Sequence, residues 1–123
     1  MPDRKLVLQR MQQLTLHLGT WQAPAGQVES AVAFALKAGY KLVDCAYCYA
    51  NEDEVGEGLR QAFAAGVKRE DIFVMTKLWP TYQTSPERVA LGLEKSLKSL
   101  GLDYVDLYLV VCLPVSTLCQ ALI

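Results

Sequence analysis

Residues 41–56 read KLVDCAYCYANEDEVG and carry the clearest structural signal in this chain. The segment begins with an apolar pair, reaches the carboxylate of Asp44, passes Tyr49 and then enters a predicted helix. A buried strand that ends on a polar residue, followed by a loop and a helix, is typical of the active sites of parallel α/β proteins. The pattern recurs one segment later, where a second apolar run ends on Lys77. The sequence therefore predicts an acid and a base at the ends of successive strands, with a phenol between them in the chain.

Helical periodicity flanks this segment on both sides. Apolar residues at helical spacing predict helices over 27–38 and 52–64, and Asn51 with Glu54 resembles a capping box at the start of the second. The sequence Ser85-Pro86-Glu87 combines an N-cap, a proline at the first helical position and an acid in the first turn. It predicts a third helix, which runs to about residue 100.

Short apolar runs between these helices predict the strands of one sheet. They cover residues 42–45, 72–77 and 104–110. At the N-terminus, residues 5–9 and 14–18 are interpreted as two further strands, a hairpin that leads into the first strand of the sheet, although the intervening turn lacks Gly or Asn. Because the order is βαβαβαβ with short crossovers, the sheet should be parallel and the fold class α/β.

Composition narrows the class of protein. The chain of 123 residues is long enough for one small domain, and 52% hydrophobic with 20% charged residues indicates a globular protein. A net charge of −1, with acids and bases interspersed, gives no electrostatic case for binding nucleic acid or a membrane surface. No signal-peptide pattern and no membrane-spanning run is present in the sequence, so we expect a cytoplasmic protein.

Cys45 and Cys48 have the spacing of a redox or zinc pair. The pair straddles a strand end rather than the helix N-terminus that lowers a thiol pKa, and Cys112 and Cys119 form no second pair of this spacing. We therefore interpret the cysteines as reduced, small apolar residues and predict no metal site.

Several stretches resemble the N-terminal part of the aldo-keto reductase family, across residues 5 to 110. They are Leu18-Gly19-Thr20-Trp21, residues 39–46, Tyr49 with residues 51–56, residues 67–71, Thr76-Lys77-Leu78-Trp79 and residues 102–109. Within that family the chain is most similar to NADP-dependent reductases of small aldehydes and polyols. The resemblance implies NADP(H) as cofactor, a small carbonyl or polyol substrate and a monomeric full-length form.

The resemblance also implies a (β/α)₈ barrel, a fold of about 250 residues. This chain would supply its N-terminal portion: the hairpin, three βα units and a fourth strand, with the second half and its grip on the cofactor's adenosine phosphate missing. We expect residues 1–110 to form this partial barrel and residues 111–123 to be an unrelated tail, since the tail carries no charge and no helical stripe.

Site residues follow from the resemblance position by position. Asp44, Tyr49 and Lys77 match three members of the catalytic tetrad. Gly19 and Thr20, together with Asp44, match cofactor-binding positions, and Trp21 and Trp79, together with Tyr49, match substrate-binding ones. The tetrad histidine should follow the fourth strand, where this chain instead has residues 109–114, LVVCLP. His17 lies where the family has the first glycine of Gly-Leu-Gly-Thr and cannot replace it.

These residue types suit carbonyl reduction, which delivers a hydride to carbon and a proton to oxygen. A free tyrosine has a pKa of about 10, so a nearby cation must stabilise its phenolate for it to donate a proton near neutrality. Lys77 can be that cation and Asp44 can hold it. The alternative for Asp44 and Lys77 is a buried ion pair without a chemical role. For Trp21 and Trp79 the alternative is core or loop packing, and for Gly19 and Thr20 it is a simple strand end.

Two hypotheses remain for the chain itself. It is either a truncated form of an NADPH-dependent carbonyl reductase, which we expect to be inactive alone, or a non-catalytic interaction or regulatory fragment of such a barrel. Val111-Cys112 can be encoded by GTATGT, a common start of an intron, so translation into a retained intron would explain the tail.

Overall fold

The computed structural model describes Lys5, Gln9, Arg10 and residues 16–111. Residues 16–111 form one sheet of four parallel strands in the order β1-β2-β3-β4, with an α-helix after each of the first three. The strands are β1 His17–Gly19, β2 Leu42–Asp44, β3 Phe73–Leu78 and β4 Leu107–Val110, and the helices are α1 Val28–Lys37, α2 Glu52–Ala64 and α3 Pro86–Leu100. Short 3₁₀ turns cover Tyr47–Tyr49, Arg69–Asp71 and Pro80–Tyr82. The predicted parallel α/β sheet is confirmed.

Local sequence explains where the helices stop and start. Ser85 caps α3 as predicted, because its hydroxyl accepts a hydrogen bond from the Arg88 backbone N–H at 3.4 Å. Gly101 ends the same helix in the left-handed conformation, at φ 65°, which a residue without Cβ adopts at little cost. The predicted bounds of α2 match those observed.

The core lies between the sheet and the helices. It is built mainly from fully buried aliphatic side chains: Val28, Val32 and Leu36 of α1, Val55 and Leu59 of α2, and Val43 and Val74 of the sheet. Gly58 lets α1 and α2 approach closely, since a Cβ there would lie 2.6 Å from the Glu29 carbonyl oxygen and 2.7 Å from the Val32 Cβ. This packing fixes α2 across the sheet and so sets the position of the loop that precedes it.

The register aligns the ends of the strands. Asp44 lies opposite Gly19 of β1 and Met75 of β3, and Lys77 lies opposite Leu109 of β4. Because all strands run the same way, their carboxyl ends meet at one edge of the sheet. We refer to this edge as the upper edge and to the opposite one as the lower edge.

The N-terminal prediction was partly wrong. Lys5 and Gln9 are helical, so the structure has no strand at either end of the segment 5–9. The segment 5–9 has only three consecutive apolar residues, and a run this short cannot be assigned to strand or helix by periodicity alone, which accounts for the error. The rest of the predicted hairpin lies outside the described residues, and β1 begins at His17, within the second predicted segment.

Candidate active site

Three polar side chains predicted from the sequence meet at the upper edge. The ammonium of Lys77 donates hydrogen bonds to the Tyr49 hydroxyl at 2.9 Å and to the Cys45 carbonyl oxygen at 3.0 Å, and it forms an ion pair with the Asp44 carboxylate. Asp44 ends β2 and Lys77 lies near the end of β3, so the parallel register brings the two side chains together. Tyr49 enters from the 3₁₀ turn between β2 and α2.

The charge on Lys77 is held in place by its neighbours. Burial is the largest single influence on its pKa and lowers it, but the Asp44 carboxylate and the Tyr49 hydroxyl together outweigh burial and raise the pKa above its ordinary value. The lysine is therefore a permanent cation near neutral pH. The side chains of Lys77 and Asp44 are 18% and 28% exposed, so the pair is sheltered while remaining open to small molecules from the upper edge.

Tyr49 is fixed on two sides. Its ring centroid lies 4.8 Å from that of Trp21, with the planes inclined by 59°, and 4.8 Å from the Lys77 ammonium nitrogen. The next residue, Ala50, is left-handed at φ 53° and ψ 32°, a conformation that costs an alanine about 1–2 kcal/mol. Backbone strain of this size persists only where the surroundings hold it.

The end of β1 forms the side of the site nearest to Trp21. Thr20 is buried, and its N–H and hydroxyl both contact the Asp44 carbonyl oxygen, at 3.1 and 3.2 Å. Thr20 therefore holds the strand end and has no free donor. Gly19 is exposed, and a Cβ placed on it would meet nothing within 4 Å. The backbone at Gly19 thus borders open space in which a flat group could lie.

Trp79, His17 and the segment 109–114 are the other positions discussed from the sequence. Trp79 follows β3 and is half-buried, two residues beyond Lys77. His17 begins β1 at the lower edge, level with Leu42 and so with Phe73, which places it about 13 Å from the level of Lys77 along the strands. Of the segment 109–114, at which the family histidine is expected, residues 112–114 lie outside the described residues.

Asn51, Glu52 and Thr76 are polar residues next to the site, and none of them was predicted from the sequence to be part of it. The predicted capping box was wrong, because the Asn51 side chain makes no bond to its own helix and instead donates to the Thr20 carbonyl oxygen at 2.9 Å. Glu54 instead accepts from the Gly26 and Val28 N–H groups at the start of α1. Both side chains bond to distant segments of the chain instead of capping their own helix, and the local sequence gives no sign of such contacts.

Burial makes Cys45 unsuitable for thiol chemistry. It raises the pKa of the Cys45 thiol to about 12, with the charge of Glu52 adding to the effect. Burial also raises the pKa of Cys48, and both thiols are free. The thiolate forms that redox or zinc chemistry needs are therefore disfavoured, in agreement with the interpretation as packing residues.

The part of the chain that the structure describes holds neither a metal-binding cluster nor a membrane-spanning helix. Over Lys5, Gln9, Arg10 and residues 16–111, no cluster of three or more His, Cys, Asp or Glu side chains is placed to hold a metal ion. None of the helices in those same residues is long and apolar enough to cross a membrane.

Comparison with protein families decides the family. The model of the aldo/keto reductase family matches residues 15–120. The chain belongs to the aldo/keto reductase family. Among characterised relatives, D-galacturonate reductase of Hypocrea jecorina is 73% identical over 93 residues, which is 76% of this chain and 29% of that protein. D/L-glyceraldehyde reductase of the same organism is 51% identical over 94 residues, 75% of this chain and 28% of that protein.

Solved structures give the same family and the fold. Aldose reductase of Schistosoma japonicum matches with a TM-score of 0.72 at 50% identity, over 76% of this chain and 31% of that chain. An aldo-keto reductase of Bombyx mori in complex with NADP matches with a TM-score of 0.70 at 42% identity, over 77% of this chain and 33% of that chain. The predicted fold, part of a (β/α)₈ barrel, is confirmed. The chain spans about three tenths of the length of the relatives it matches.

Proposed function

We propose that this chain provides the proton-donating group of an NADP(H)-dependent reductase that converts small aldehydes or ketones to alcohols. The observation that carries the proposal is the 2.9 Å contact between the Lys77 ammonium and the Tyr49 hydroxyl, with Asp44 paired to the same ammonium. A buried ion pair without a chemical role would not require a phenol on the lysine or openness toward the upper edge.

In this proposal Tyr49 is the general acid. Its hydroxyl proton passes to the carbonyl oxygen of the substrate, and the adjacent Lys77 ammonium stabilises the phenolate that remains. Asp44 fixes the ammonium in that position by charge and hydrogen bonding. The phenolate then regains a proton from solvent, which completes the turnover of the acid.

The backbone at the end of β1 is accessible, because a Cβ on Gly19 would meet nothing within 4 Å. The nicotinamide of NADP(H), when bound, supplies the hydride for the carbonyl carbon. We assign Gly19, Thr20 and Asp44 to the cofactor side of the site. In this assignment Gly19 leaves the end of β1 accessible, and Thr20 holds that strand end against β2 through its bond to Asp44. The choice of NADP(H) draws support from the NADP complex of the Bombyx mori relative.

Small polar carbonyl compounds are the proposed substrates, with the corresponding polyols as products. The relatives named for galacturonate and glyceraldehyde reduction support this class. Trp21 and Trp79 are proposed to line the substrate side, since Trp21 lies against the Tyr49 ring. The proposal also places the protein in the cytoplasm, with a monomeric full-length form.

The experiment compares two tyrosines in the same turn. Aldehyde-dependent oxidation of NADPH is followed by the loss of its absorbance for the protein at its native length, for Tyr49→Phe and for Tyr47→Phe. Tyr47 contacts the Tyr82 ring at 5.8 Å and not the lysine, so it is the matched control. We expect Tyr49→Phe to lower kcat by about 10²–10⁴-fold and Tyr47→Phe to leave it almost unchanged. Equal effects of the two substitutions would refute the assignment.

A further inference from the structure

The start of α2 is bonded to both neighbours of β2. Asn51 precedes the helix and donates through its side-chain amide to the Thr20 carbonyl oxygen, 2.9 Å away, just beyond β1. Glu52 is the first helical residue, and its carboxylate accepts a hydrogen bond from the Thr76 hydroxyl of β3 at 2.6 Å. Both side chains are almost fully buried, at 7% and 4% exposure for the two residues. We call these two residues and their bonds the Asn51–Glu52 latch.

Each bond of the latch ends next to a residue of the candidate site. Thr76 immediately precedes Lys77 in β3, and Thr20 contacts the Asp44 carbonyl oxygen through its N–H and hydroxyl. On the helix side, only Ala50 separates the latch from Tyr49. The latch therefore connects the loop that bears the phenol with the strands that bear the ammonium and the carboxylate.

Stability alone does not account for Glu52. Burial raises the pKa of its carboxyl group, against the smaller opposing effect of the Thr76 hydroxyl, so the charged form is costly in this place. That charge also contributes, after burial, to raising the pKa of Tyr108 to about 12. A well-packed apolar residue would remove these costs. The carboxylate does, however, provide a strong acceptor that fixes the Thr76 hydroxyl and thereby the helix start relative to β3.

The strained backbone of Ala50, next to the latch, also indicates that the latch holds the turn in place. Ala50 is held at φ 53°, and without anchoring on its helix side the turn could relax toward a right-handed conformation. Such a relaxation would change the direction in which Tyr49 leaves the turn. Since Tyr49 must stay within hydrogen-bond distance of the Lys77 ammonium, small displacements at the helix start matter at the phenol.

We propose that Asn51 and Glu52 are positioning residues of the reductase, which hold the Tyr49 hydroxyl on the Lys77 ammonium by anchoring the start of α2 to β1 and β3. The proposal rests on the function proposed above. Because both residues are almost fully buried, the proposal gives neither of them a contact with substrate or cofactor. Their effect is on the geometry of proton transfer, and misplacing reacting groups by about 1 Å can cost about 10²-fold in rate.

The kinetic test uses substitutions that differ in the hydrogen bond they keep. Thr76→Val removes only the hydroxyl from a residue of similar shape, Glu52→Ala removes the acceptor, and Glu52→Gln keeps an amide oxygen as acceptor. In the protein at its native length we expect the first two to lower kcat about 10²-fold with little change in KM, and Glu52→Gln to restore most of it. Glu57→Ala on the exposed side of α2 is the control and should have little effect. Unchanged kcat in folded Thr76→Val, or no rescue by Gln, overturns the proposal.

A second measurement reports the position of Tyr49 and does not depend on enzyme activity. In the protein at its native length, Trp79 and any tryptophan outside these 123 residues are replaced by Phe, so that Trp21, which lies against Tyr49, is the sole tryptophan fluorophore. In that background Thr76→Val and Glu52→Ala should increase quenching of Trp21 by acrylamide, because the Tyr49 ring no longer covers it, whereas Glu52→Gln should not. Identical quenching in all four proteins overturns the positioning role. If the protein shows no NADPH-dependent turnover, the proposed function fails, while this measurement still decides the role of the latch.

Discussion

Each edge of the sheet carries an aspartate paired with one or two basic residues. The two clusters differ in how far the aspartate is exposed and in which other groups the basic residues contact. At the lower edge, the Asp106 side chain is only 3% exposed and uses both oxygens, accepting from Arg10 at 2.9 Å and from the Val74 N–H at 2.9 Å while pairing with Arg69 at 2.8 Å. At the upper edge, Asp44 is 28% exposed and pairs with Lys77, which also contacts a phenol.

The choice of cation explains the difference. The Arg69 guanidinium reaches the carbonyl oxygens of Ile72 and Tyr104 besides the carboxylate, and it lies 3.9 Å from the centre of the Tyr104 ring. A planar group with five donors can join several chain segments in this way, and it never loses its proton. Lysine concentrates its charge at one atom, which suits stabilising a single developing anion. The lower edge is therefore suited to holding β3 and β4 together, and the upper edge to chemistry, as in barrel enzymes generally.

The largest effect is expected from breaking the lower cluster. Asp106→Asn removes the charge from a buried carboxylate and leaves the largely buried Arg69 without its partner, together with the more exposed Arg10. We expect the loss of the buried Asp106–Arg69 pair to lower the free energy of unfolding by about 3–5 kcal/mol. Urea denaturation measures the change, with the exposed Asp103→Asn as control. Activity per folded molecule should stay close to that of the parent. A stability loss under about 1 kcal/mol would mean that this cluster contributes no more than a surface pair.

Changing the cation of the upper cluster should affect rate more than stability. Lys77→Arg keeps the charge but cannot place one nitrogen on Asp44, the Cys45 carbonyl and Tyr49 together, so we expect kcat to fall about 10²-fold. The free energy of unfolding should change by no more than about 1 kcal/mol. Lys95→Arg is the matched control, because Lys95 donates to the Tyr82 hydroxyl at 2.7 Å on an exposed surface. If Lys77→Arg retains full kcat, the point-charge argument is wrong.

The pH dependence of stability tests the buried carboxyl group of Glu52, which lies beside the upper cluster. Its pKa is raised in the folded state by burial, so folding takes up a proton above the ordinary glutamate pKa of about 4.3, and stability falls as pH rises through the window up to the raised value. Glu52→Gln lacks this titration, so its stability relative to the parent should increase from pH 4 to pH 7 in urea denaturation.

Glu57, which is partly exposed on the surface of α2, provides a control of opposite sign for that measurement. The hydrogen bond from Arg60 lowers the pKa of Glu57, so its contribution to stability is present above the ordinary glutamate pKa and is lost as pH falls through the lowered one. Glu57→Gln should therefore lose a little stability relative to the parent as pH rises. The same pH trend in both variants would contradict the assigned burial of Glu52.

Much of the upper edge could be predicted from the sequence, because parallel strands bring the residues at their carboxyl ends together. Asp44, Tyr49 and Lys77 lie within 34 positions of one another and follow two recognisable apolar runs. The lower cluster could not be predicted, since Arg10 and Asp106 are 96 residues apart and neither lies in a distinctive motif. Glu52 was missed for another reason: an acid in the first turn of a helix is ordinarily explained by the helix dipole and solvent.

The smallest expected effect concerns the strain that only the upper edge stores. Ala50→Gly removes the Cβ that disfavours φ 53°, at the cost of a more flexible unfolded chain, so the free energy of unfolding should rise by up to about 1 kcal/mol. Ala90→Gly, at an exposed site in α3, is the matched control and should lower it by about 1 kcal/mol. Equilibrium urea denaturation of both variants gives the two signs. Opposite signs for one chemical change would show that the backbone of the turn at Ala50 is strained, and a loss of stability in both variants would show that it is not.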